Sequence, residues 1–380
     1  MKIRTITTGF HFHPQFNEHD FDNIASLTKK AKEWFQQKGY QVQTIRISTQ
    51  PWESYVTTKQ ELQTITSSFE HWISQHTIDY FNIGPCKQKE HISWIPYLLK
   101  NCKKGFSTVH ICNDTEIFYD NIKETAKTMK TIADLEPQGF ANLRFAALCN
   151  IKPHTPFYPA SYHQGKNPSF GIGLENSDLV YNAFSSAGSI ISAKEALYQL
   201  LTKIYKPIEK HALGFSDQYG LQYCGLDTSV STSIDKNESI AYAFEKLIKG
   251  YKFGQQGTLS IARIITDTIQ SIPVQKTGYC GLMLPVLEDD GLSTRNKDHQ
   301  FSISDLLLYS AVCGTGLDTI PLPGNITERQ LYNILLDVAS LSIKLQKPLS
   351  ARLMPIPGKK AGDMTEFNFS YFKNSSVMKY

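Results

Sequence analysis

The sequence predicts an α/β fold built on a mostly parallel sheet, and three observations support this. Strand and helix signals alternate through the first 150 residues. The helical stretches place apolar residues on one face, while the strand stretches are rich in β-branched and aromatic residues. The chain is 41% hydrophobic and 19% charged, an ordinary globular balance that supplies a sizeable core.

The elements follow in order. "KIRTITTGFHF" reads as a strand. "FDNIASLTKKAKEWFQQKG" has helical spacing and stops at Gly39, a residue suited to the left-handed cap. "YQVQTIRIS" is a strand, "TKQELQTITSSFEHWISQH" a helix and "IDYFNIGPC" a strand. "FSTVHICND" is another strand, "IFYDNIKETAKTMKTIADL" a helix and "ANLRFAALCNI" a strand. Lys152 to Pro168 breaks the rhythm with four prolines and a glycine, a long loop that reads as a lid, a binding segment or a linker. Next comes "SFGIGLENSD", then a helix, "SAKEALYQLLTKIYKPIEKH". Ser192 and Glu195 give that helix a capping box, and Leu197, Leu200, Leu201 and Ile204 its apolar stripe. "YGLQYCGLDTSVS" reads as a strand, "SIAYAFEKLIKG" and "TLSIARIITDTIQ" as helices, and "TGYCGLMLPVL" as a strand. "ISDLLLYSAVC" and "TERQLYNILLDVASLSIKLQ" are the last helices, before the strand "LSARLMPI".

Composition excludes several classes. A net charge of +4 is small for 380 residues, and "KKAK" and "CKKG" read as solvated helix faces, so no nucleic-acid partner is expected. No apolar run approaches the roughly 18 residues a membrane span needs, and the N-terminus lacks the apolar stretch of a signal peptide. Seven cysteines, irregularly spaced and without a CxxC pair, read as reduced thiols in a cytoplasmic protein.

Candidate chemistry gathers at strand ends. "GYCGLMLPVL" runs into "EDDG", crowding Glu288, Asp289 and Asp290. Buried, they form a cation site or an acid/base pair; exposed, they are the acidic first turn of a helix. Asp227 and Asp318 share the motif Gly-Leu-Asp-Thr, each either a reactive carboxylate or the cap of an Asx-type turn. Glu175 ends a core strand and needs a partner there. Cys-Gly pairs recur at Cys224, Cys280 and Cys313, a hint that these segments meet. Cys313 falls at a helix C-terminus, where the dipole disfavours a thiolate. Gly314 or Gly316 then reads as the helix cap, and Cys313 as a packed thiol unless it is a nucleophile. "PGKKAGDMTEF" offers Lys359, Lys360 and flexible glycines to an anion, or is a basic surface turn. Arg352, inside a buried strand, should meet a carboxylate from the protein or a ligand. His11 and His13 share one strand face at i, i+2, a weak metal pair.

Together "IRTIT", "GYCGLMLPVLEDDG", "VCGTGLDTIPLPG" and "ARLMPIPGKKAGDMTEF" resemble the uncharacterised proteins of domain-of-unknown-function family 711, also called uncharacterised protein family 0210. The resemblance covers nearly the whole chain, which looks like a shorter branch of that family. It implies a single domain over residues 1–380: a ten-stranded α/β barrel like the pyruvate formate-lyase class of glycyl radical enzymes, with helices outside. The family pattern falls on Arg4, Asp227, Glu288, Asp289, Cys313, Asp318, Asp363 and Glu366, and not on His11 or His13. No reaction carries over. The glycines of "IPGKK" and "KAGDM" lack a glycyl-radical context, so radical chemistry is not expected.

The resulting expectation is an enzyme acting on a small anionic metabolite. Asp227, Glu288, Asp318 and Cys313 would be catalytic. Arg352, Lys359, Lys360 and Asp363 would hold the substrate. A divalent cation, Mg or Ca, would sit on Asp227, Glu288 and Asp290, with no organic cofactor. The alternative is a non-catalytic ligand binder on the same barrel. The broad apolar face of the helix with Leu331, Ile334, Leu335, Val338, Leu341 and Leu345 suggests a homodimer.

Overall fold

The computed structural model describes residues 2–248 and 250–380. Nine strands form one sheet: β1 (Lys2–Gly9), β2 (Gln41–Ser48), β3 (Tyr80–Cys86), β4 (Gly105–Cys112), β5 (Phe145–Cys149), β6 (Ser169–Glu175), β7 (Gln222–Asp227), β8 (Gly316–Pro323) and β9 (Leu349–Ile356). Their order is β7-β6-β1-β2-β3-β4-β5-β9-β8. Strands β1 to β5 are parallel. β6 runs antiparallel to β1, and β9 antiparallel to β5. β7 and β8 then run parallel to these two. The sheet is thus a central parallel block of five strands flanked on each side by a parallel pair of opposite direction. The amino ends of β1 and β2 share a rim with the carboxyl end of β6, where Lys2 pairs with Glu175.

The sheet has nine regular strands where ten were expected. "TGYCGLMLPVL" is not one, for a local reason. Gly278 and Cys280 have left-handed backbones (φ 80° and 49°), which interrupts an extended ladder. The Asp227 carboxylate also takes the N–H groups of Tyr279 and Cys280, at 2.9 and 3.0 Å. The segment still touches both edges of the sheet. Lys276 bridges to Leu226 in β7, Leu282 to Val230 just beyond it, and Pro285 to Asp318 in β8.

The proline-rich loop is neither a lid nor a linker. Thr155 to His163 are all buried, so this segment is an internal plug. Strands on both sides satisfy its backbone. Thr7 Oγ1 donates to Pro156 O (2.7 Å), Asn82 Nδ2 to Pro159 O (2.5 Å), and the His163 amide to Thr49 O (2.9 Å). Gly173 in β6 is required here, because a Cβ would lie 2.8 Å from the Phe157 ring.

Three local readings change. The helix Ile190–Tyr219 is capped by Ser189 with Ser192 as the third residue, one turn before the expected box at Ser192 and Glu195. The helix Ile303–Ser310 ends before Cys313. Gly314 then serves close backbone contact with Gly281, where a Cβ on Gly281 would lie 2.1 Å from the Gly314 Cα. Two of the recurring Cys-Gly pairs therefore meet, and Asp227 ties the third motif to them. β1 ends at Gly9, which leaves His11 and His13 exposed in the following turn.

The last long helix, Glu328–Leu345, spends its apolar face on its own sheet. Leu331, Leu335 and Val338 are buried, and Ile334 and Leu341 pack at the edge of the core. Only Leu345 of the expected contact residues is exposed, which removes most of the apolar face that suggested a dimer. No helix among the described residues is long and apolar enough to cross a membrane.

Candidate functional site

A cavity of about 490 Å³ lies at the amino ends of β1 to β5, floored by the plug. Period-two alternation decides which side chains reach it. Thr44 and Arg46 of β2 point in together, as do Ser350 and Arg352 of β9. Phe157, Tyr158 and Pro159 of the plug, and Tyr279, Met283 and Pro285 of the irregular segment, complete the wall.

Glu288, Asp318 and Arg352, all expected at the site, do meet. Arg352 Nε donates to Asp318 Oδ1 at 2.6 Å, and its Nη2 donates to Glu288 Oε1 at 2.7 Å. Burial alone would lower the Arg352 pKa, but the two carboxylates more than offset this and raise it. Burial raises the Glu288 carboxyl, and Arg352 opposes that shift. The carboxylate that Arg352 was expected to need is thus supplied by the protein. Arg4, placed by the family pattern, sits beside this triad. Its Nη2 lies 3.7 Å from Glu288 Oε2, while its Nη1 donates to Glu175 Oε2 at 2.7 Å. Glu175 has the partner its strand position requires, and Gln43 also donates to it at 2.7 Å.

The other expected residues fall elsewhere. Asp227 is fully buried outside the cavity, and hydrogen bonds satisfy it. It accepts from the Ser229 amide (3.0 Å) and hydroxyl (2.6 Å) as well as from Tyr279 and Cys280. This is the Asx-turn reading, and burial raises its pKa against those bonds. Asp289 caps the helix Asp290–Lys297, accepting from Leu292, Ile240 and Ser239, and burial lifts it to about 6. Asp290 pairs with Lys373 at 3.2 Å and accepts from Tyr242. The expected cation trio of Asp227, Glu288 and Asp290 is therefore divided among three separate sets of partners. Among the described residues no group of three or more His, Cys, Asp or Glu could hold a metal ion.

Cys313 is 1% exposed and outside the cavity, and burial pushes its thiol up to about 11. It packs rather than attacks. Lys359, half-buried, and the exposed Lys360 and Asp363 form a turn away from the cavity. Lys359 pairs with Glu366 at 2.9 Å, and Asp363 accepts the Lys360 amide at 2.7 Å. The basic-surface-turn reading holds for this loop.

The residue that sequence reasoning missed is Arg46. It is 9% exposed and lines the cavity. Its Nε donates to Thr44 Oγ1 at 3.1 Å, and its guanidinium lies over the rings of Tyr158 and Tyr80, at 5.0 and 5.7 Å. Among the described residues nothing accepts from its two terminal nitrogens, and no carboxylate pairs with it. Burial, with Arg4 nearby, lowers its pKa to about 10. Its terminal nitrogens open onto the cavity, so water or an anion completes their hydrogen bonding there. The signal was present in "QTIRIS": an arginine alternating into a strand that otherwise buries aliphatic residues. Arg352 in "LSARLMPI" was singled out on this same logic.

With this geometry in view, the chain can be set beside known proteins. A protein of Acetivibrio thermocellus from the UPF0210 group is 26% identical over 287 residues, covering 73% of this chain and 63% of its own length. A UPF0210 protein of Pyrobaculum aerophilum is 28% identical, covering 67% of this chain and 58% of its own. One from Neisseria gonorrhoeae is 24% identical over 399 residues, covering 96% and 87%. The chain thus spans about three fifths of the length of the first two relatives. Among solved structures, an anaerobic ribonucleotide reductase aligns over 92% of this chain and 70% of its own, with 9% identity and a TM-score of 0.38. The model of the family described as Uncharacterised ACR (DUF711) matches residues 1–370, and this chain belongs to that family.

Proposed function

We propose that the protein binds and turns over a small organic anion inside this cavity. One observation carries the proposal: Arg46, buried on the cavity wall against two tyrosine rings, has no acceptor among the described residues for its terminal N–H groups. A carboxylate on Arg46 would complete its hydrogen bonding with two parallel N–H···O bonds. Glu288 would accept a proton from the bound molecule, its pKa raised by burial and its position fixed by Arg352. The bridges from Lys276, Leu282 and Pro285 support reading the wall as a barrel, with this irregular segment as its tenth stave. A divalent cation on Glu288 has less to recommend it, because Arg352 already neutralises that carboxylate.

Ligand binding without turnover is the second reading. It is favoured by the attachment of both Glu288 and Asp318 to Arg352, which leaves neither as a free base. A thermal-shift screen of small anions, followed by product analysis of each hit, tests both. Hits that vanish in Arg46→Gln support the site, and consumption of the ligand supports an enzyme. A screen in which wild type and Arg46→Gln respond alike contradicts the proposal.

A further inference from the structure

Resting on that anion site, we infer that its occupant is a small hydroxycarboxylate: a monoanion with its carboxylate on Arg46, an apolar body, and a hydroxyl donating to the Glu288–Asp318 pair. The wall supports each part. Five basic side chains, Arg4, Arg46, Lys103, Arg144 and Arg352, face four acids, Asp79, Glu136, Glu288 and Asp318. Glu175, behind the wall, holds Arg4, so the wall carries no surplus of positive charge for a dianion and the occupant brings at most the single negative charge that Arg46 can take.

Three of the five cations are held by carboxylates at hydrogen-bond distance, and a fourth, Lys103, lies largely in solvent. Arg144 donates to Glu136 at 2.7 Å and to the carbonyls of Leu99, Cys102 and Gly105. Lys103 lies 3.7 Å from Glu136 with its side chain 78% exposed. Arg4 and Arg352 are held by Glu175, Glu288 and Asp318. Among the described residues, Arg46 is the one buried cation of the wall without a carboxylate partner. The Tyr80 and Tyr158 rings lie against its guanidinium and Thr44 takes Nε, so the edge formed by the two terminal nitrogens is what a ligand meets. That edge fits a planar, two-oxygen acceptor better than a tetrahedral dianion, which would call for a second buried cation without a partner.

Phe106, Phe140, Leu143, Phe157 and Met283 supply apolar wall for the body of the ligand. Glu288 and Asp318 each give one oxygen to Arg352. Asp318 Oδ2 has no donor among the described residues, and Glu288 Oε2 has only Arg4 at 3.7 Å. Ionised carboxylates only accept, so the group facing them must donate. A hydroxyl does this as a neutral donor, and Arg352 already supplies the cation between the two carboxylates, where an ammonium would bring a second.

Titration calorimetry with a matched series separates the parts. Mandelate and 4-hydroxyphenylacetate place a hydroxyl near to and far from the carboxylate. Phenylacetate lacks the hydroxyl, phenylglycine replaces it with an ammonium, and phenyl phosphate replaces the carboxylate with a dianion. At least one hydroxy acid should bind wild type about tenfold or more tighter than the other three, and Arg46→Gln, checked for an unchanged circular dichroism spectrum, should lose it. If phenyl phosphate, phenylglycine or phenylacetate binds as tightly or tighter and still depends on Arg46, the hydroxycarboxylate assignment fails and the anion site stands. If no probe binds, or Arg46→Gln binds equally well, the anion site fails with it.

Discussion

Replacing Arg352 by Met isolates the triad that shapes the cavity floor. The Arg352 side chain is 9% exposed, and those of Glu288 and Asp318 are 17% and 20%. Removing the cation while both carboxylates remain strands Asp318 and leaves Glu288 with only the more distant Arg4, 3.7 Å away, at a cost of about 3–5 kcal/mol. Unfolding entropy scales near 2.1 cal/mol/K per residue, so a chain of this length should melt about 4–6 °C lower. Differential scanning calorimetry at pH 7 reads this directly. The triple variant Arg352→Met, Glu288→Gln, Asp318→Asn should recover more than half the loss, because the amides no longer repel. The stranded carboxylates of the single variant should also have raised pKa values. Its folded state then binds protons more readily than its unfolded chain, so its deficit should shrink as the pH falls from 7 to 5. A loss below about 1 kcal/mol, or a triple variant no better than the single one, would refute the account of the triad.

Three further outcomes are expected. His163 anchors the plug through Ser169, and burial lowers its pKa from 6.5 to about 4; its contribution is full above pH 6.5 and lost as the pH falls towards 4, so His163→Gln should flatten acid unfolding monitored by tyrosine fluorescence over that range. Gly281→Ala places a Cβ 2.1 Å from the Gly314 Cα, a backbone clash with no flexible group to yield; chemical denaturation should show destabilisation of about 1–3 kcal/mol or more. Cys313 should resist iodoacetamide in the folded protein up to pH 9 and react once denatured, as peptide mass spectrometry would show.

The sequence carried the α/β alternation well, because the helices have clear apolar stripes and the parallel strands are buried on both faces. It was least informative where a side chain overrides the backbone pattern. "TGYCGLMLPVL" has strand composition, but Asp227 draws off its amides and Gly278 and Cys280 turn left-handed. The plug has the composition of a surface loop, since its prolines and polar groups are satisfied only by strands remote in sequence. At the site, Arg352 was legible as a charge inside a buried strand, Glu288 as one of three acids crowding a strand end, and Asp318 through its Gly-Leu-Asp-Thr motif. Asp227 and Asp290 looked equivalent to Glu288, because a carboxylate's partners lie far along the chain. Arg46 follows the same pattern as Arg352, and only the structure shows that one has its acceptors and the other does not.

The claim that Arg46 holds an anion is tested most directly by what the protein carries when purified. Wild type and Arg46→Gln, prepared in parallel at low salt and denatured in methanol, should be compared by mass spectrometry of the released small molecules. The account predicts a small carboxylic acid released from wild type in near-equal proportion to the chain and absent from the variant. Equal release from both proteins, or none that tracks Arg46, would contradict it.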